Sequence, residues 1–165
     1  MLFTSLLFAA FFLIVYIVFW SIPNQKGKEF WLLFASIVFY GSWSFGFLVH
    51  FLAAIGINYY FVHLLQKSQS KKIIVTAVVL NLFNLGVFKY FYFFTDIFAS
   101  LSGISALTNL RSSTTFKIIL PLAISFYTFQ MLAYVIDVYR KKVESKISLL
   151  DFTIFILFFP QLIAG

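Results

Sequence analysis

Apolar residues run through this chain in blocks rather than in alternation. Residues 1–25 hold no Asp, Glu, Lys or Arg, and neither do residues 30–66. A helix needs roughly 20 apolar residues to cross a bilayer, so each block is long enough. The first predicts a span over Leu2–Ile22, closed by Pro23, Asn24 and the Lys26/Lys28 loop. It lacks a basic lead and a small-x-small cleavage site, and is expected to stay as a span rather than be removed. At ~1.5 Å per residue, Phe30–Gln66 would reach about 55 Å, nearly twice a hydrocarbon core. Two helices fit better, with the break over Gly41–Gly46, where glycines and serines loosen the helix. The second span then covers Phe30 to just past Tyr40 and the third Phe47–Gln66.

Beyond the Lys67–Lys72 loop a fourth span starts at Ile73. Lys89 lies roughly 24 Å along it, where its ammonium can snorkel to the opposite interface. A Ser/Thr/Asn-rich stretch from Ser100 to Thr115 reads as a polar loop. The fifth span runs over Phe116–Val138, with Pro121 in the first turn, where proline is tolerated. Arg140, Lys141, Lys142 and Lys146 fill the next loop, and a sixth apolar segment begins near Leu149. The expected fold is an all-α, polytopic transmembrane helical bundle of about five complete spans and an incomplete sixth. Residues 1–165 form a single transmembrane region.

Composition agrees. The chain is 62% hydrophobic and 10% charged, with mean hydropathy +1.01. Soluble chains carry about 25% charged residues. The net charge of +7 suggests nucleic acid, but the basic residues cluster in short loops, which is a topology pattern. Loops 23–29, 67–72 and 139–148 hold two, three and four of the 12 Lys and Arg. An excess of positive charge marks the cytoplasmic side, which places the N-terminus outside. Cysteine is absent, which excludes disulfides and thiolate chemistry.

Candidate chemistry concentrates in one span. Tyr127, Gln130, Tyr134 and Asp137 follow a spacing of 3, 4 and 3 and share one helical face. Polar groups in hydrocarbon need partners or water. Either the stripe bonds neighbouring helices, or it walls a cavity open to the cytoplasm. Asp137 has Arg140 at i+3 as an available partner. Asn58, Asn81 and Asn84 are expected to make helix–helix hydrogen bonds. His50 and His63, 13 residues apart, cannot form a one-face metal pair and read as interface residues. No catalytic residue, metal site or phosphate loop is assigned.

Several segments together resemble the membrane-bound O-acyltransferase family, in its bacterial alginate O-acetyltransferase branch. They are MLFTSLLF at the start, FYGSWSF at 39–45, Asn58-Tyr59-Tyr60, Phe88-Lys89-Tyr90, LPLAISFYTFQMLAYVIDVYR at 120–140 and FFPQLIAG at 158–165. The 120–140 stretch is the specific one. Ala123 stands where the family commonly has Gly, and Ala133 where it has Ser. The resemblance implies transfer of an acyl group, expected to be acetyl, from a cytoplasmic thioester such as acetyl-CoA to an extracellular or cell-wall polysaccharide. It implies a bacterial inner-membrane setting and a periplasmic or extracellular acyl-transfer partner. The family's essential histidine lies downstream of the FPQ segment, and neither His50 nor His63 matches it. The chain therefore reads as the N-terminal portion of such an enzyme, inactive by itself and missing its C-terminal half. Tyr127, Gln130, Tyr134 and Asp137 then become the polar wall of an acyl-donor passage. A transporter or channel subunit, or a non-catalytic remnant, remains the alternative.

Overall fold

The computed structural model describes residues 6–102, 122–143 and 147–164, and every element among them is helical. In chain order these are α1 (Leu6–Ser21), α2 (Gln25–Trp43), α3 (Phe45–Lys67), α4 (Lys71–Ser102), α5 (Ile124–Tyr139), α6 (Leu149–Leu157) and α7 (Phe159–Ala164). Helix is what an apolar chain adopts when water cannot satisfy its backbone, because every interior N–H and C=O is paired within the segment. Of the described segments, Phe45–Lys67 and Lys71–Tyr90 are long and apolar enough to cross a membrane.

Short polar residues set the boundaries. Asn24 caps α2 by accepting from the Gly27 N–H. A Cβ on Gly27 would meet Asn24 Oδ1 at 2.5 Å and Ile22 at 2.8 Å, so the cap depends on glycine. Lys26, Lys28 and Glu29 therefore belong to the helix, which starts before the expected Phe30. The break expected over Gly41–Gly46 narrows to Ser44 alone. Its backbone is extended (φ −163°, ψ 122°), its N–H closes α2 on the Tyr40 carbonyl, and its hydroxyl accepts from the Phe47 N–H to open α3. Gly41 and Gly46 sit inside the two helices.

Helix α4 spans 32 residues, about 48 Å at 1.5 Å per residue. It runs through Ser102, past the expected loop start at Ser100. The remainder of that loop, with Phe116 and Pro121, lies outside the described residues. Helix α5 opens only at Ile124, after a turn in which Ala123 holds a left-handed conformation (φ 57°, ψ 25°). Its other end is a Schellman motif: the Lys141 N–H reaches the Val138 carbonyl, and the Lys142 N–H reaches that of Asp137. Lys141 takes the left-handed position (φ 58°) that glycine usually fills.

Successive helices pack as antiparallel hairpins. The Trp31 indole donates to the Val15 carbonyl at 3.0 Å, joining α2 to α1. Asn58 and Asn81 exchange side-chain hydrogen bonds of 3.1 and 2.7 Å between α3 and α4. Each also donates to the carbonyl four residues back, so the buried pair is closed. His50 Nε2 and Asn84 Oδ1 meet at 2.9 Å further along the same seam. All three asparagines are thus helix–helix links, as their positions suggested. His50 is half-buried against Phe88, with ring centroids 4.8 Å apart. His63 is exposed.

At the centre, Tyr40, Phe51 and Tyr127 stack in a column, with centroids 4.9 and 4.0 Å apart. The Tyr40 hydroxyl donates to the Leu122 carbonyl at 3.2 Å, tying α2 to the turn before α5. The hairpins leave residues 22–24, 68–70, 140–143 and 147–148 at one end of the bundle, with Ser44, Lys89 and Leu122 at the other. The Tyr59 hydroxyl contact to the Ile147 carbonyl ties α3 to the basic loop that follows α5.

A non-glycine residue in the left-handed region is disfavoured by about 1–2 kcal/mol. Ala123→Gly and Lys141→Gly should therefore each stabilise the protein by about 1 kcal/mol in denaturant titrations of the detergent-solubilised chain. A double-mutant cycle on Asn58 and Asn81, each changed to Leu, should give a coupling of about 0.6–1.7 kcal/mol, the measured range for such pairs in membranes.

Candidate functional site

The residues singled out in the sequence sit on one side of α5, but they do different things along it. Tyr127 is sealed in the aromatic column, and its hydroxyl is buried with no hydrogen-bond partner among the described residues. Gln130, one turn on, donates from Nε2 to the Phe155 carbonyl at 2.8 Å and to Gln161 Oε1 at 3.4 Å, while its own Oε1 is buried and unpaired. Tyr134 is half-buried, its ring against Phe152 at 5.2 Å and Phe155 at 5.8 Å. Asp137 reaches solvent and pairs with Lys142 at 3.8 Å rather than with the expected Arg140. Rotation explains the change: the left-handed Lys141 folds the chain back, so that Lys142 lies over the last turn. The stripe thus grades from a buried hydroxyl to an ion pair that reaches solvent.

Gln130 has a specific target because the sixth apolar segment is not one helix. Pro160 has no N–H and crowds the carbonyl four residues earlier. The chain breaks at Phe158 (φ −56°, ψ 108°), between α6 and α7. In an unbroken helix the Phe159 N–H would serve the Phe155 carbonyl. Here that N–H donates to the fully buried Ser36 hydroxyl of α2 at 3.3 Å. The Phe155 carbonyl receives Gln130 of α5 instead. Two freed backbone groups are thus answered by side chains from two different helices. The start of α6 is settled locally: the Ser148 hydroxyl accepts from the Asp151 N–H and donates to its carboxylate.

Neither Ser36 nor Thr128 belongs to the stripe that the sequence singles out. Thr128 lies beside Tyr127, fully buried, with an unpaired hydroxyl. Pro160 was the available signal for Ser36, since a proline in an apolar segment frees backbone groups that need a partner. A second polar locus, formed by His50, Asn58, Asn81 and Asn84, lines a groove of about 400 Å³ between α3 and α4 whose other walls are apolar. Among the described residues, no group of three or more His, Cys, Asp or Glu could hold a metal ion.

Large apolar side chains such as Leu13, Ile17, Phe30, Phe34, Phe83 and Phe129 are exposed on the outside, while Asn and Gln are paired within. That inversion defines a helical membrane protein. The chain matches, along its whole length, a probable alginate O-acetylase AlgI of Pseudomonas aeruginosa, with 34% identity over 170 positions that make up 32% of that protein. A probable AlgI of Azotobacter vinelandii is also 34% identical, over the whole chain and 34% of its own length. A peptidoglycan O-acetyltransferase of Helicobacter pylori is 31% identical, over 86% of this chain and 31% of that protein. No family model and no solved structure matches the chain. The chain is thus similar to the alginate O-acetylase-like branch of the membrane-bound O-acyltransferases. It spans about a third of the length of the curated relatives it matches.

Leaving a buried backbone group unpaired costs about 1–3 kcal/mol. Ser36→Ala and Gln130→Leu should each destabilise the protein by about that much. In a Pro160→Ala background, where α6 can continue into α7 and pair its own backbone, the penalty of either change should fall below about 1 kcal/mol. Chemical denaturation of the single and combined variants checks both statements.

Proposed function

We propose that this chain is the N-terminal part of a membrane O-acetyltransferase. The enzyme takes an acetyl group from a cytoplasmic acyl thioester, acetyl-CoA in the simplest case, and esterifies a hydroxyl of an extracellular or cell-wall polysaccharide. The observation that carries this reading is the whole-length identity to proteins named for O-acetylation of alginate and, over most of the chain, of peptidoglycan. Such a transfer breaks the thioester bond, forms an ester at the acceptor oxygen and requires a base for the hydroxyl proton. We assign that base to a part of the enzyme beyond the third that this chain matches. His50 is engaged with Asn84, and His63 stands exposed at the margin of α3 near the basic loop.

In this reading the chain contributes the donor side. Tyr127, Gln130, Tyr134 and Asp137 wall the route by which the thioester reaches the membrane interior. The exposed end of the stripe at Asp137 lies at the end of the bundle that also carries Lys67, Lys71, Lys72, Arg140, Lys141 and Lys142. We place that end in the cytoplasm of a multi-pass inner-membrane protein, with the N-terminus outside and a periplasmic or extracellular partner relaying the acyl group. The chain has no native cysteine, which makes the topology directly readable.

Single cysteines placed at Gln69 and at Phe45 should label oppositely. A membrane-impermeant thiol reagent added to intact cells should modify Phe45→Cys and spare Gln69→Cys, and the opposite result would reverse the orientation. Membranes holding the chain alone should transfer no label from radiolabelled acetyl-CoA to glycan. Membranes holding it with the remaining two-thirds of a relative should transfer label, and Tyr134→Ala should slow that transfer by at least about tenfold, the ordinary scale for a misplaced substrate. Transfer by the chain alone would place the base within these 165 residues.

A further inference from the structure

An open groove of about 290 Å³ runs along the outer face of α1 and α2, walled by Phe12, Val15, Phe19, Trp20, Leu32 and Phe159. It begins at the last turn of α1 and reaches Phe12, eight residues deeper, roughly 12 Å into the apolar zone. Its inner limit is the broken segment Phe158–Pro160. The break makes the groove: a continuous helix there would direct different side chains at α1. The walls are hydrocarbon and aromatic throughout, so whatever fills the groove presents apolar surface to it.

The mouth is different. Lys28 Nζ stands 5.2 Å from the ring centroids of both Phe19 and Trp20, the two residues that form the groove's rim. Trp20 is 64% exposed, and Tyr16 beside it packs edge-on at 6.3 Å. Among the described residues no carboxylate forms an ion pair with Lys28, and the neighbouring Glu29 is engaged by the Gln25 amide at 3.2 Å. Lys26, exposed two residues earlier, adds a second positive charge. An aromatic rim carrying a cation, above an apolar slot, matches the interfacial zone of a bilayer, where headgroup phosphates meet acyl chains.

We propose that this groove holds one acyl chain of an anionic glycerophospholipid, with its phosphate seated on Lys28 beside the Trp20 indole. The charge at the mouth selects the headgroup, and the slot below takes the chain. The site rests on the membrane reading and is independent of acyl transfer. The bound lipid covers the Phe158–Pro160 break from the side that Ser36 and Gln130 do not reach.

Trp20 provides the readout. In Trp31→Phe/Trp43→Phe protein, Trp20 is the sole indole. Its fluorescence is followed in bilayers titrated with phosphatidylglycerol or phosphatidylcholine brominated on the acyl chain. Half-quenching should need about fivefold less of the brominated phosphatidylglycerol, the worth of one lysine at an anionic surface. Lys28→Glu should bring the ratio to one, and Lys28→Arg should keep it. Native mass spectrometry of the unaltered chain, with both lipids added, should show phosphatidylglycerol retained preferentially and the preference lost in Lys28→Glu. Equal quenching by the two lipids overturns the proposal. So does a preference that survives Lys28→Glu, or an unquenched Trp20, which would mean that a protein helix or a second copy covers the groove.

Discussion

Every backbone group inside a bilayer must find its partner within the protein, and the bundle is organised around the place where that is hardest. Pro160 interrupts the last apolar segment and leaves the Phe155 carbonyl and the Phe159 N–H without each other. Ser36 from α2 and Gln130 from α5 answer the two groups at 3.3 and 2.8 Å. Both partners must be present at once, so the break fixes the relative position of three helices. Around that point the aromatic column Tyr40, Phe51 and Tyr127 fills the interior.

The same constraint reshapes the polar stripe of α5. Gln130 is committed to the backbone and Tyr134 to aromatic packing, so the middle of the stripe serves as structure as well as candidate wall. The unpaired buried groups of Tyr127, Thr128 and Gln130 lie within a single turn. They lie near the helix break that Gln130 answers.

Much of the fold was legible because the bilayer imposes simple rules. Uncharged runs gave helices, and the asparagines of α3 and α4 found each other as apolar surroundings demand, while Lys26, Lys28, Lys67, Lys71 and Lys72, expected in loops, lie within the ends of helices. Boundaries were less legible. Asn24 acts through one side-chain hydrogen bond and Ser44 through one from its backbone and one to its side chain, and no periodicity reports their geometry. Ala123 is the instructive case. It holds a left-handed backbone that glycine adopts at less cost, and no apolar periodicity reports that conformation. The pairing of Asp137 with Lys142 in place of Arg140 followed from another left-handed residue, Lys141.

The sequence by itself determined that this is a helical membrane protein, which family it resembles and which face of α5 is polar. Each of these depends on local composition and spacing, which the chain carries without folding. Only the tertiary structure decided what those polar groups touch. The Ser36 and Gln130 contacts join residues 123 and 25 positions apart, and the Lys28 rim arises where two helices meet. Such meetings depend on how the helices turn against one another, which is set by packing across the whole bundle.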